Sequence, residues 1–228
     1  MYLHRLYLNP LCKEARRDIA DPYELHSTLC RAFSDKSTQC PESEFLWRMD
    51  PETMPDGAVR VLVQSRSLPD WDRIGIESWL IEHPPEPVDL RLKLMLDSIY
   101  VGQRFRFRVR ANPSTSKDGK RIGLLLLPQQ EAWIERKGRE QCGFTLPKLS
   151  SFGFNEQEPS RPDVQVTQQQ MLYGNQRRDV GGRISIFSAL YDGYLEVTDT
   201  GMFLACLRNG MGHGKALGLG LLSIVPTA

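Results

Sequence analysis

Between residues 104 and 110 the sequence reads RFRFRVR, so arginine alternates with an apolar residue along the whole stretch. Only an extended strand puts those two sets on opposite faces, because its side chains alternate with a period of two. A helix, at about 100° per residue, would wind the arginines around its whole circumference. The strand stops at Asn112-Pro113, and an earlier stretch, YLHRLYLNP at 2–10, stops at Asn9-Pro10 in the same way. Two strands with one stop signal point to a unit used twice.

The rest of the chain fits that reading. After the first strand come a helix from Pro22, strands over 44–49 and 58–65, a short helix near PDWDRI (69–74) and a closing strand ESWLIE (77–82). A proline-rich stretch, EHPPEPVD at 82–89, reads as a linker. The second unit has its arginine strand, a helix over 128–137, and two strands around 182–191 and 193–199 with a tight Asp192-Gly193 turn. A helix ending at Gly210 and an apolar strand within 216–225 complete it. The polar stretch 150–182 has no clean period and reads as a long loop or irregular hairpin. The predicted class is α+β, with two tandem ferredoxin-like (RRM-like, βαββαβ) domains at 1–90 and 99–228.

Net charge is +1, but it is unevenly spread. Residues 38–90 hold four Arg against eleven Asp and Glu, while 103–121 hold seven Lys and Arg against one Asp. A polyanion feels that local potential, not the total. Five cysteines, an odd number with no CxxC pair, fit a reducing cytoplasm, and no apolar run approaches the roughly 20 residues of a membrane span. HExxH, G-x-S-x-G and acidic metal-ligand clusters are all missing, so no metal or cofactor is expected.

Three stretches carry possible chemistry. In DPYELHSTL (21–29), Asp21 caps a helix, Pro22 fits its first position and Glu24 completes a capping box. Leu25, Leu29, Ala32 and Phe33 form the core stripe, with His26 about 70° and Tyr23 about 130° from its centre. Tyr23 and His26 are thus either a rim tyrosine and a surface histidine, or a catalytic pair at a helix end that favours phosphate. In the second stretch, Arg104, Arg106, Arg108 and Arg110 repel one another unless an anion compensates, either carboxylates of the acidic first half or a phosphate backbone. Lys117, Lys120 and Arg121 extend this basic segment through a turn at Asp118-Gly119. The third, GMGHGKALGLG at 210–220, brings backbone close to phosphates or simply closes the domain; its spacing is that of neither nucleotide-binding loop.

Taken together, LYLNP (6–10), ARRDIADPYELHSTL (15–29), LWRMDP (46–51), VLVQS (61–65), PDW (69–71), RFRFRVRANP (104–113), GKR (119–121) and GHGKALGLGLLS (212–223) give the chain a family likeness. It resembles the CasE family, the CRISPR RNA-processing endoribonucleases of type I-E (Cascade) systems, in the RAMP superfamily. The resemblance implies two ferredoxin-like domains that hold the stem-loop of a CRISPR repeat. It implies metal-independent cutting at the base of the stem by 2′-OH attack, leaving a 2′,3′-cyclic phosphate. It also implies retention of the crRNA beside other Cascade subunits, in the cytoplasm. The family's catalytic tyrosine and histidine fall on Tyr23 and His26. Arg31 stands where some relatives carry a lysine near the scissile phosphate, so it is expected as the third catalytic residue, neutralising the phosphorane. Ser27 occupies a position that can be basic in the family. The arginine strand, Lys117, Lys120, Arg121, Gly212, His213, Gly214 and Lys215 become the RNA-holding surface, and loss of Arg108 is expected to weaken repeat binding. The alternatives are a non-cleaving RAMP scaffold that only binds RNA, and an enzyme for a small phosphorylated ligand held by the glycine-rich loop.

Overall fold

The computed structural model describes residues 1–34, 40–41, 43–54, 57–149, 161–175 and 183–227. Its first half runs β1 (Tyr2–Leu8), α1 (Lys13–Ala20), α2 (Pro22–Cys30), a 3₁₀ turn over Arg31–Phe33, β2 (Phe45–Thr53), β3 (Val59–Ser65), a 3₁₀ turn over Trp71–Ile74 and β4 (Val88–Asp89). The four strands form an antiparallel sheet in the order β2-β3-β1-β4. That order, with the first strand beside the third and fourth, is the ferredoxin-like one. Leu6, Leu8, Val61 and Val63 alternate onto the sheet face that meets Leu25 and Leu29 of α2, all six fully buried.

The second half adds α3 (Leu90–Lys93), β5 (Arg104–Ala111), β6 (Ser114–Lys117), β7 (Lys120–Gly123), α4 (Leu127–Gln141), β8 (Phe144–Thr145), β9 (Val164–Asn175), β10 (Arg183–Val197), α5 (Thr200–Asn209) and β11 (Ser223–Pro226). Here β11, β5 and β10 lie side by side, and the far edge of β10 takes β9 along 183–193 and β8 at 196–197. The order β11-β5-β10-β9 repeats the first half strand for strand. Phe105, Phe107 and Val109, the apolar set of RFRFRVR, are buried against Phe144, Phe203 and Leu207. The β6–β7 hairpin turns through Asp118 (φ 50°) and Gly119 (φ 72°), the paired positive angles of a type I′ turn.

Four local expectations change. Helix α1 was not legible, and its buried Asp18 accepts from Trp79 Nε1 at 2.9 Å and from Arg17 at 2.7 Å. Because Trp79 turns inward to that carboxylate, 77–82 makes no closing strand: only Leu80 bridges Leu8, and Val88–Asp89 of the proline-rich stretch pairs with the other end of β1. The expected loop contains β9, whose period is hidden by a run of glutamines and a register shift opposite Ser188–Leu190, with Gln168 at φ 46°; 150–160 and 176–182 lie outside the described residues. Finally, Asp192-Gly193 is no turn but the middle of β10. There a side chain on Gly193 would run into the Asp163 carbonyl, so the glycine marks a close backbone approach.

Polar residues of the first sheet hold the two halves together. Buried Arg48 donates through Nη1 to Arg108 O and Leu221 O, both at 3.3 Å, and to Ser223 Oγ at 3.0 Å. Its Nε binds Asp50 at 3.0 Å. Gln64 Nε2 donates to Leu207 O at 2.6 Å. These contacts fix β2 against the strand that carries the arginines and against the end of the glycine-rich segment, and β3 against α5.

Candidate active site

The start of α2 is built almost as its sequence reads. Asp21 Oδ1 accepts from the Tyr23 N–H at 2.9 Å, and Pro22 occupies the first turn. Glu24 does not close the capping box, because α1 ends directly against α2 and Asp21 N already donates to Arg17 O at 3.0 Å. Glu24 instead faces Arg17 at 3.5 Å. The two helices therefore share one junction residue, which fixes the direction in which α2 leaves.

Tyr23 and His26 are half-buried on the flank of the helix. Gly174 of β9 comes so close that an added Cβ would lie 3.2 Å from the Tyr23 Cβ. The Tyr23 hydroxyl makes no hydrogen bond among the described residues. The His26 ring tilts against Phe45, centroid to centroid 5.1 Å, and Phe45 is backed by stacked Phe33. Cys30, one turn along, sits 3.7 Å from His26 Nε2. Burial, then the neighbouring Cys40, push the Cys30 pKa up to about 12, so the thiol stays protonated beside the imidazole, and the tautomer of His26 sets which of the two donates. His26 Nδ1 is left buried with no partner among the described residues. Burial also lowers the His26 pKa below its ordinary 6.5, so the ring is neutral at neutral pH.

His26 opens into a cavity of about 340 Å³ whose other walls include Cys30, Glu44, Phe45, Lys215 and Ala216. The glycine-rich segment thus meets α2. Its path is set by residues that admit no side chain. Gly218, at φ 74°, packs flat on Trp47, whose ring would stand 2.7 Å from an added Cβ; Gly220, at φ 90°, would put one 2.5 Å from Met211 O. The amides of Met211, Leu217, Gly218 and Gly220 are used internally. Those of residues 212 to 216 donate to no acceptor among the described residues. Exposed His213 has a lowered pKa, from partial burial and then from Arg121, Lys137 and Lys215, which marks a positive cluster joining the β6–β7 hairpin, α4 and the glycine-rich segment.

The other expected residues are dispersed. Arg31 is exposed in the 3₁₀ turn, its Nη1 donating to Ile74 O at 3.4 Å, and it does not line the His26 cavity. Within β5 the arginines differ. Arg108 binds Asp192 at 2.7 Å and Glu52 of the first half at 2.8 Å. Arg110 is buried and held by the Gln168 side chain, and Arg104 pairs with Glu196 at 2.8 Å. Exposed Arg106 makes no ion pair among the described residues, and Lys117, Lys120 and Arg121 are exposed on the hairpin. Internal pairing and a free cationic surface therefore coexist on one strand. The sequence reading missed Cys30 and Phe45 as walls of the His26 site and Lys137 in the basic cluster. Of these, only Cys30 carries a local signal, four residues after His26 on the same helix face. Among the described residues no three His, Cys, Asp or Glu side chains cluster as a metal site, and no helix is long and apolar enough to cross a membrane.

The family model described as CRISPR associated protein matches residues 1–226. The chain belongs to this family. A family relative, the CRISPR-associated endoribonuclease Cse3 of Thermus thermophilus, is 39% identical over 232 residues, covering 99% of this chain and all of that one. The structure of Thermus thermophilus Cse3 bound to an RNA representing a pre-cleavage complex matches with a TM-score of 0.78 and 36% identity, over 99% of this chain and 98% of that one. The CRISPR system Cascade subunit CasE of Escherichia coli K12 is 24% identical over 239 residues, 99% of this chain and all of that one. The CasE resemblance read from the motifs is thereby borne out along the whole chain.

Proposed function

We propose that the protein is the endoribonuclease that processes CRISPR RNA. In this reading it binds the repeat stem-loop of the precursor, cuts at the base of the stem by 2′-OH attack and leaves a 2′,3′-cyclic phosphate. It then keeps the crRNA as a Cascade subunit. The observation that carries the reading is the full-length likeness to an RNA-bound endoribonuclease of the same family. The two ferredoxin-like domains are assigned to 1–90 and 99–228. Five free cysteines support a reducing, cytoplasmic setting.

The chemistry requires little of the protein. RNA supplies its own nucleophile, so catalysis consists of aligning the 2′-oxygen with the phosphorus, accepting its proton, protonating the leaving 5′-oxygen and stabilising the charge that builds on phosphate. Neutral His26 is assigned as the base and Tyr23 as the proton donor one turn away. Arg31, exposed in its 3₁₀ turn, is assigned to the phosphate backbone nearby. Arg106, Lys117, Lys120, Arg121, His213 and Lys215, with the free amides around Gly212 and Gly214, form the RNA surface; Arg104, Arg108 and Arg110 shape it from beneath. Surface pairing such as Arg104–Glu196 is weak enough to yield to a phosphate.

The test is incubation with repeat RNA in EDTA. Discrete fragments ending in a cyclic phosphate support the enzyme, whereas RNA bound but intact supports the scaffold reading. Within the RNA surface, Arg106→Ala is expected to weaken repeat binding and to lower the slope of log affinity against log salt by about one. Arg108→Ala should instead lower the melting temperature, since it leaves Asp192 and Glu52 without their shared cation. Filter binding at two salt concentrations checks the first, and thermal denaturation the second. Unchanged Arg106→Ala affinity at both salts contradicts the placement.

A further inference from the structure

The cavity beside His26 assigns a role that the family likeness does not. We infer that Lys215 is the cation that neutralises the scissile phosphate during cutting, the place that sequence position suggests for Arg31. The inference rests on the proposed RNA-cleaving function. Lys215 and His26 line the same cavity, so a phosphate seated there is within reach of both. Neither Arg31 nor Tyr23 lines it, but Tyr23 lies one turn before His26 on the same flank, about 60° around, whereas Arg31 leaves the helix five residues after His26, about 140° around, and bonds Ile74 O.

Lys215 is also available. It makes no ion pair or side-chain hydrogen bond among the described residues. Glu44, the carboxylate that lines the cavity with it, is already committed. Its Oε1 accepts from the Ser67 N–H at 2.8 Å and from Ser67 Oγ at 2.6 Å. The backbone around Lys215 is rigid. Leu217 N donates to Gly214 O at 2.8 Å and Gly218 N to Lys215 O at 3.1 Å, while Gly218 is pressed against Trp47. A half-buried lysine on a hydrogen-bonded turn, lining one cavity with a neutral imidazole and a protonated thiol, favours an anion there.

The step balances as follows. The 2′-oxygen forms a bond to phosphorus and gives its proton to His26. The phosphorane gains one negative charge, which the Lys215 ammonium stabilises without changing its own protonation. The P–O5′ bond breaks with its electron pair on oxygen, which takes a proton from Tyr23, and Tyr23 recovers one from His26. Lys215 is thus a charge stabiliser that touches the reacting phosphate and transfers no proton.

The experiment compares wild type, Lys215→Ala, Lys215→Arg and Arg31→Ala. For each, it measures the single-turnover cleavage rate at saturating repeat RNA and the affinity for the same RNA made uncleavable by one 2′-deoxy nucleotide. Lys215→Ala is expected to slow cleavage on the order of 100-fold. Its affinity for uncleavable RNA should fall by no more than about threefold, since a single phosphate contact is lost among many. Lys215→Arg should recover most of the rate, and Arg31→Ala should be slowed less than Lys215→Ala. Retained affinity also shows that the variant is folded. A wild-type rate in Lys215→Ala, or a deficit that disappears as RNA concentration rises, overturns the assignment. Intact RNA with wild type overturns the functional reading itself, and the Lys215 role with it.

Discussion

Repeat RNA carrying a 2′-deoxy nucleotide just upstream of the cut should survive prolonged incubation while binding as tightly as the natural RNA. The expectation follows from where the nucleophile resides. A 2′-oxygen held beside its own phosphorus reacts with an effective molarity of about 10⁵ M or more, an advantage that no free water molecule shares. Removing that one oxygen leaves every protein–phosphate contact in place, because the basic surface around Arg106, Lys120, Arg121 and Lys215 does not depend on it. Cleavage should fall below detection on a denaturing gel, with affinity unchanged in filter binding. Cleavage at an undiminished rate would mean that water is the attacking group, and the proposed chemistry would be wrong.

Replacing His26 by Ala should reduce the cleavage rate by about 10² to 10⁴, the range for loss of a positioned proton-transfer group. The pH dependence carries the mechanistic information. Burial lowers the His26 pKa below 6.5, so the neutral, proton-accepting ring persists through neutral pH and into mildly acidic solution. With His26 as base, the wild-type rate should be flat near pH 7 and fall only as pH drops through the lowered pKa. That acidic limb should be missing from the residual activity of His26→Ala. Single-turnover rates from about pH 4 to pH 8 decide the matter. A wild-type rate that instead falls as pH rises through this range contradicts the base assignment. Phe45 loses its ring partner in the variant, so repeat binding serves as the folding control.

The parts of this fold that were legible in the sequence are those dictated by short-range rules. Strand β5 was legible because arginine and apolar residues alternate strictly, and α2 because Asp21, Pro22 and the Leu25–Leu29 stripe mark its start and face. The hairpin turn at Asp118-Gly119 was legible for the same reason. What escaped depends on distant partners. Trp79 abandons a strand pattern to reach the buried carboxylate of Asp18, sixty-one residues away. Gly193 next to Asp192 mimics a hairpin turn, yet it sits mid-strand because the backbone near Asp163 presses against it. Strand β9 carries four exposed glutamines, at 165 and 168–170, and its register shifts opposite Ser188–Leu190, which together remove the period that would announce it.

The site divides along the same line. Tyr23 and His26 could be put on one helix flank from spacing alone, and the glycine-rich segment stood out by composition. That His26 and the glycine-rich segment line one cavity, with Tyr23 beside it, could not be read, since it depends on Arg48 and Gln64 fastening the two halves and on Gly218 lying flat against Trp47. The arginine strand shows the limit most plainly. Four identical residues in perfect alternation have different fates, because carboxylates at 52, 192 and 196 and Gln168 claim three of them.

The central claim is that RNA is cut in the cavity where α2 meets the glycine-rich segment. Its most direct test is the position of the scissile phosphate in a crystal structure of the wild-type protein with uncleavable 2′-deoxy repeat RNA. That phosphate should lie within hydrogen-bond reach, about 2.6 to 3.2 Å, of the His26 ring or the Tyr23 hydroxyl, or one water molecule away. A fully ordered stem-loop whose scissile phosphate rests elsewhere on the protein, with His26 and Tyr23 untouched, would contradict the account.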